Sequence, residues 1–284
     1  MASKSNSKAV ATVEQSANLP AAGDNYDYGD FGNMGFDNHT SDDYSIPFIG
    51  LLQSNSPECS DDESEARPGM IINRATGDVY SGKDGFVFVP SRTERKFVEW
   101  VPRDSGGGLA GVHEADSEIV LEATANQKFG KLKLANGNDL METFYAYGMA
   151  VLPDGTEMQA VIDFSSTKIK NYKNWMTKAR TVQYVNPKTG KRSNLPLMAH
   201  RYRIKTEKTK NNKGEFFIYA ITFDGANAVE ARIAPNSDLF LAAVALNDAV
   251  SSGTAKADMN KTDRGGAVSD EGGAPADDGS GIPF

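Results

Sequence analysis

The chain has 284 residues, 27 glycines, 39% hydrophobic residues and a net charge of −8, which predicts a folded domain with unfolded ends. No apolar run approaches the roughly 20 residues that cross a bilayer, and the first residues lack the apolar core of a signal peptide. We therefore expect a cytoplasmic protein, in the host cytoplasm if a phage encodes it. The single cysteine, Cys59, excludes an internal disulfide, and with three histidines we expect no metal and no cofactor.

The first half of the chain predicts an unfolded tail followed by strands. Residues 1–45 are rich in Ser, Asn, Asp and Gly and predict a disordered acidic tail. The folded body is predicted over 46–250. Its strand candidates are two apolar runs within 69–82, two within 85–103, and the segments 117–124, 141–152 and 157–164, with a turn at 153–155 joining the last two.

The apolar period then changes to that of a helix. Within 165–180, one stripe holds Ile169, Tyr172, Met176 and Ala179, the opposite side holds Lys170, Lys173, Lys178 and Arg180, and Ser165 or Ser166 is expected as the cap. Two strands joined at 211–214 follow, and then a closing helix capped by Ser237. Residues 251–284 have almost nothing to bury and predict a disordered acidic tail.

This order of elements predicts a mainly β domain with one or two helices. Many short strands, with one helix between the earlier strands and the last hairpin, suit an elaborated OB-fold-like barrel, closed or partly open. A β-sandwich is the alternative.

The charge is distributed unevenly along the chain. Residues 1–66 carry a net −10 and residues 251–284 a net −3, so the middle is +5. Within it, residues 168–213 hold fourteen Lys or Arg and one acid, Glu207. This asymmetry indicates a polyanion partner, with acidic tails that compete for the basic segment.

Aromatic residues interleave with these cations, which favours single-stranded nucleic acid. Lysine and arginine neutralise phosphates, and an aromatic ring stacks on any unpaired base without sequence preference. The candidate contacts are Arg92, Arg95, Lys96, Trp100, Lys131, Lys168, Lys170, Lys173, Trp175, Lys178, Arg180, Tyr184, Lys191, Arg192, Arg201, Tyr202, Arg203 and Lys205. Trp175 and Tyr202 have an alternative place in the core, because Trp175 lies at the edge of the apolar stripe and Tyr202 alternates with Arg201 and Arg203.

Catalysis is not expected. The sequence has no phosphate-binding loop with a Gly-Lys-Ser/Thr end and no Gly-x-Ser-x-Gly turn. The segment 103–114, with three successive glycines and His113, has a possible base, but catalysis would also need a nucleophile or metal ligands, and only Glu114 and Asp116 are nearby. We interpret it as a tight or mobile loop, one that can also touch a phosphate backbone.

The last nine residues, "ADDGSGIPF", resemble the C-terminal tip of bacterial single-stranded-DNA-binding proteins, which ends Asp-Asp-Ile-Pro-Phe. The matching residues are Asp277, Asp278, Ile282, Pro283 and Phe284. The inserted Gly-Ser-Gly at 279–281 departs from the pattern by separating the acids from the apolar end. The resemblance implies that the tip docks into basic pockets of replication and repair enzymes, with the terminal phenylalanine in an apolar pocket. The internal Ile-Pro-Phe at 46–48 runs into apolar residues and is expected to begin the folded body.

Three segments of the body resemble a family of phage and prophage proteins, some of which are thought to bind single-stranded DNA. They are "IPFIGLLQSNSPE", "GMIINRATGDVY" and "FVEWVPRDSGGGLAGVHE", within residues 46–115. The resemblance implies a phage protein that binds and protects single-stranded DNA and recruits replication, recombination or repair proteins. Alternatives are an RNA-binding or strand-annealing protein and a scaffolding protein. The resemblance also leaves open a homo-oligomer, since a dimer or tetramer is usual for such proteins, although the sequence has no coiled coil or other mark of one.

Overall fold

The computed structural model describes residues 34–35, 38, 43–60, 64–126, 132–212 and 214–262. The chain divides into two units, Met1–His39 and Thr40–Phe284, and every strand and helix of the described residues lies in the second. The strands are β1 (Ile49–Leu51), β2 (Ile71–Asn73), β3 (Val79–Tyr80), β4 (Phe86–Trp100), β5 (Leu109–Glu114), β6 (Leu132–Lys133), β7 (Asp139–Val151), β8 (Glu157–Ser165), β9 (Gln183–Val185), β10 (Arg192–Asn194), β11 (Tyr202–Asn211) and β12 (Gly214–Phe223). The helices are α1 (Glu118–Asn126), α2 (Ile169–Thr181) and α3 (Asp238–Ser252). The expected mainly β class is confirmed, with three helices.

The main antiparallel sheet is built around the long strand β4. One edge of β4 pairs with β7 along nearly its whole length, while the other pairs with β11 through 86–88 and with β5 through 96–100. A bulge between Pro90 and Arg92 separates the two halves. Bulges bend a strand and accommodate proline, which has no backbone hydrogen to donate. One strand therefore serves two halves of the sheet, where the sequence predicted two short strands.

Five strands give the sheet an OB-like order. Along the sheet they run β12, β11, β4, β7 and β8. In the chain, α2 lies between β8 and β11, which are the third and fourth of these five strands. Among the described strands, β12 and β8 do not pair, so backbone pairing does not close a barrel. The small sheet of β1, β2 and β3 lies beside the open end, where Phe48 forms a parallel bridge with Val161 of β8.

Two side-chain amides form hydrogen bonds with the edge of β12 that none of the described strands covers. The amide of Gln53 donates to the carbonyl of Phe217 at 2.9 Å and accepts from its N–H at 3.0 Å. Asn171, on α2, donates to the carbonyl of Tyr219 at 3.0 Å. These contacts tie β12 both to the N-terminal segment and to α2.

The two faces of the sheet bury different partners, because alternate strand residues point to opposite sides. The inner face carries the largest core and packs against α2; its members include Phe86, Phe88, Ala146, Ile162, Phe164, Tyr202, Ile204 and Tyr219. The outer face of β7 and β8 carries Tyr145, Tyr147 and Val161, which pack against Phe48 and against Leu246 of α3. The outer face is thus covered by α3 and the N-terminal segment.

The internal Ile-Pro-Phe at 46–48 begins the folded body, as expected. Ile46 and Phe48 are 4% and 2% exposed. Ile46 forms a bridge with Ala257, and the Phe48 ring lies edge-on to Tyr145 at 6.1 Å between ring centroids. This phenylalanine is a core residue.

The folded body extends further toward the C-terminus than the sequence predicted. Helix α3 begins at the expected cap, Ser237, and ends at Gly253, whose φ of 75° is the left-handed conformation that favours glycine. The following residues return to the outer face, where the hydroxyls of Thr262 and Tyr145 are 3.1 Å apart. The prediction of disorder from 251 is therefore wrong for 251–262, since a few small residues suffice to pack there. The tail beyond 262 lies outside the described residues.

Two local predictions were also wrong. The expected strand at 117–124 is helix α1, because Val120 and Ala123 lie one turn apart and pack on Phe97 of β4. Neither expected serine caps α2 with its side chain; the helix continues from a short 3-10 turn over Ser166–Lys168, with Ser166 at a φ of 51°. None of the helices in the described ranges has the length and apolarity needed to cross a membrane.

Candidate nucleic-acid interface

Helix α2 presents a cationic face because its aromatic residues are anchored in the core. Tyr172 stacks on Phe144 of β7 at 4.5 Å between ring centroids. Trp175 meets Phe88 and Tyr202 edge-on at 6.3 and 5.3 Å. The opposite side of the helix therefore points to solvent, and its exposed cations are Lys170, Lys173, Lys178 and Arg180. None of the four forms an ion pair with a described residue.

The cationic face of α2 continues onto the sheet through Phe144. The Lys173 ammonium lies 5.9 Å from the centroid of the partly exposed Phe144 ring. Arg95 of β4 is directly opposite Phe144 in the ladder, is 52% exposed and lies over the Phe97 ring at 5.2 Å. Arg95 also bonds Glu142 at 2.6 Å, which offsets part of its charge. Two cation–aromatic pairs thus lie side by side next to α2.

The hairpin of β9 and β10 follows α2 directly and adds more cations. All three residues of β10 are exposed, including Arg192, and Lys191 in the preceding turn is exposed as well. Tyr184 of β9 is partly exposed, and the guanidinium carbon of Arg232 lies 5.8 Å from its ring centroid. From residue 164 to 206 the chain has no acidic residue. We call α2, this hairpin and the adjoining Arg95, Phe144 and Arg232 the α2–hairpin surface.

The cations of β11 lie on a different face of the sheet. Tyr202 points to the inner face under α2, so Arg201 and Arg203, its neighbours in the strand, point to the outer side. Both arginines pair with Asp224, Arg203 at 2.9 Å and Arg201 at 3.4 Å. Lys205 is exposed on the same outer side. The single basic stripe of the sequence is therefore divided between two faces, and on β11 it is partly neutralised.

Four predicted contact residues are buried, so their prediction as contacts is wrong. Trp100, Trp175 and Tyr202 are 7%, 1% and 1% exposed, so none presents a ring for stacking. Burial raises the pKa of Tyr202 to about 12. Lys168, 4% exposed, places its ammonium 3.2 Å from the buried carboxylate of Asp163. Lys168 is therefore a structural residue, and a single sequence could not show that the end of β8 turns it inward.

The remaining predicted contacts on β4 are paired with acids. Arg92 bonds Glu94 at 3.1 Å, and Lys96 bonds both Glu94 and Glu114. These partly buried ion pairs reduce the charge available to a phosphate. Lys131 and the predicted tip residues Asp277, Asp278, Ile282, Pro283 and Phe284 lie outside the described residues.

The glycine-rich segment at 106–108 precedes a polar cluster around the buried carboxylate of Glu99. The three glycines have φ values of 106°, 68° and 105°, which only glycine adopts readily. Beyond them, His113 lies 2.8 Å from Glu99, which also accepts from Asn136 at 3.0 Å and from Asn138. Burial pushes the pKa of Glu99 upward, but these hydrogen bonds outweigh it and leave the pKa lowered. The imidazole of His113 thus helps to hold β4, β5 and the β6–β7 turn together.

Two residues of the α2–hairpin surface were missed by the sequence analysis. Phe144 alternates with core residues of β7 and was assigned to a strand without a functional role. Arg232 stands alone, beyond the end of the basic segment. Only the fold brings Phe144 under Lys173 and Arg232 over Tyr184, so no local sequence signal identifies either.

The face that OB-folds commonly use for oligonucleotides is covered in this protein. That face is formed by the second and third barrel strands, here β7 and β8. Their outer residues Tyr145 and Tyr147 are 0% and 2% exposed beneath α3 and the returning segment that ends at Thr262. Among the described residues, the α2–hairpin surface is exposed and includes the four cations of α2 that form no ion pair.

Comparison with known proteins identifies a phage family. The family model described as Pam3 phage gp34-like protein matches residues 14–256. No curated protein and no solved structure matches the chain significantly. The match includes all of the strands and helices described above and agrees with the phage class expected from residues 46–115. The chain therefore belongs to the Pam3 phage gp34-like family.

Proposed function

We propose that this phage protein binds single-stranded DNA without sequence preference through its α2–hairpin surface, acting in the host cytoplasm. The observation that carries the proposal is the set of four exposed, unpaired cations on α2, one of which lies over the partly exposed ring of Phe144. Cations that bind phosphates release counterions, and aromatic rings stack on unpaired bases. A surface that combines the two suits a flexible single strand better than a rigid duplex.

The proposal includes a second role for the C-terminal segment. The resemblance of residues 276–284 to the tip of bacterial single-stranded-DNA-binding proteins supports recruitment of replication, recombination or repair enzymes. Deleting these residues should leave DNA affinity unchanged or raise it, because the acidic tail competes for the same cations. The deletion should also abolish co-purification with such enzymes, and a sharp fall in DNA affinity would contradict the role.

The central experiment measures affinity for fluorescent oligothymidylate as a function of salt. Each phosphate contact on a single strand contributes about 0.7 to the slope of log affinity against log salt. Reversing Lys170, Lys173, Lys178 and Arg180 to glutamate should reduce that slope by about 3 and abolish binding near physiological salt. The matched control is Lys261→Glu, which changes one exposed cation on the side of the sheet that α3 covers.

The outcomes separate the alternatives. Wild-type protein that fails to bind oligothymidylate even at low salt would overturn the proposal and favour a scaffolding role. Equal competition by RNA would indicate a protein that binds any single strand. Equal competition by duplex DNA would contradict base stacking on Phe144, because duplex bases are already paired and stacked. Unchanged binding by a folded quadruple variant would move the site to another surface, such as Lys205 and its neighbours on β11.

A further inference from the structure

The base of the β9–β10 hairpin holds an arginine whose charge no described residue balances. Arg232 forms no ion pair with the described part of the chain, and its Nε is buried without a hydrogen-bond partner. The carboxylate of Asp224 accepts hydrogen bonds from Arg203 and also forms an ion pair with Arg201 at 3.4 Å. Buried polar groups are nearly always satisfied in folded proteins, so an exception requires an explanation such as an absent ligand.

Arg232 is held in place by the backbone around it. Its residue forms an antiparallel bridge with His200, and the neighbouring N–H of Arg201 donates to the carbonyl of Ala231 at 2.9 Å. Burial, and secondly the charge of Arg232, lower the pKa of His200, so a neutral imidazole lies beside the guanidinium. The main chain at Arg232 is therefore held in place, and the guanidinium lies next to Tyr184.

The hairpin leaves one side of Tyr184 without a bulky neighbour. Across the ladder Tyr184 faces Ser193, a small residue, whereas Val185 and Arg192 face each other on the opposite side of the hairpin. Tyr184 is partly exposed, and Arg232 lies over its ring at 5.8 Å. Unpaired bases stack both on aromatic rings and on guanidinium planes, and a guanidinium also binds phosphate.

We propose that Tyr184 and Arg232 form a nucleotide site at the base of the hairpin. Arg232 binds a backbone phosphate of a single strand, and the adjoining base stacks on the ring of Tyr184. The site rests on the proposed function, because it extends the strand path from α2 to the hairpin. It adds a residue that lies outside the basic segment of the sequence and assigns a role to the guanidinium of the partly exposed Arg232.

The test uses the full chain and oligothymidylate that carries 5-iodouracil. Irradiation should crosslink the base to Tyr184, and mass spectrometry of the digested adduct identifies the modified residue. Tyr184→Ala should weaken binding about tenfold, while Tyr184→Phe, which keeps the ring, should stay within about twofold of wild type. Arg232→Gln should weaken binding and lower the salt slope by about 0.7. Leu241→Ala, which truncates an exposed apolar side chain on α3 outside the α2–hairpin surface, is the control.

The results distinguish this site from the proposed function as a whole. If wild type does not bind oligothymidylate, the function itself fails. If wild type binds, but Tyr184→Ala and Arg232→Gln bind equally well and no crosslink maps to the hairpin, the nucleotide site is wrong while the function stands. The crosslink is measured on wild-type protein, so it decides the question even if a variant does not fold.

Discussion

Replacing Lys168 with methionine is expected to lower the free energy of unfolding by about 3–5 kcal/mol, because it leaves the buried carboxylate of Asp163 without its ammonium partner. The two side chains are 5% and 2% exposed, and the ammonium lies 3.3 and 3.2 Å from the two carboxylate oxygens. An isolated buried charge is far more costly than a well-packed neutral pair. The loss is a large share of the roughly 5–15 kcal/mol that stabilises a typical domain.

Urea unfolding measures this change, with the midpoint shifting while the m-value stays constant. The double variant Lys168→Met with Asp163→Leu should recover most of the loss, because both charges are then absent. DNA affinity, measured below the unfolding transition, should match wild type in both variants. A Lys168→Met protein that unfolds like wild type but binds DNA weakly would show that Lys168 contacts phosphate, and would refute its assignment as a buried structural residue.

Three further predictions concern the stability of the fold. The pKa of Glu99 is lowered in the folded state, so this carboxylate contributes to stability above its ordinary pKa, and the contribution is lost as pH falls through the lowered value. Glu99→Gln should therefore reduce the dependence of the unfolding midpoint on acid pH. Ser237→Ala removes the hydroxyl that accepts from the N–H of Phe240 and should cost about 1 kcal/mol in thermal unfolding. Gly82→Ala would place a Cβ 2.0 Å from both the carbonyl oxygen of Gly69 and the hydroxyl of Thr206, so it should cost at least about 1–3 kcal/mol or prevent soluble expression.

The sequence predicted best where one local period controls the structure. Helix α2, with Tyr172 inward and its lysines outward, and the hairpins around 153–155 and 211–214 are present as expected. Their signals, helical spacing of apolar residues and glycine-containing turns, are contained within a few residues of chain. The mainly β class follows from the same local patterns.

The wrong predictions concern residues whose secondary structure or burial is decided by tertiary contacts. The apolar residues of 117–124 satisfy a strand pattern as well as a helical one, and packing of Val120 on Phe97 selects the helix. Lys168 has the composition of a surface residue, but Asp163 on the preceding strand neutralises it inside the fold. Arg232 became a candidate only when the backbone bridge to His200 brought it over Tyr184. These pairings join residues that no short window of sequence contains together.

The side-chain amides that bond the edge of β12 limit association between copies of the protein. A free strand edge is a template on which another chain can add a strand, and this is a common route to aggregation. Gln53 already satisfies the N–H and carbonyl of Phe217, and Asn171 occupies the carbonyl of Tyr219. An incoming strand would have to displace both side chains before it could pair. The open OB-like sheet is thereby protected from edge-to-edge association at β12 without being closed into a barrel.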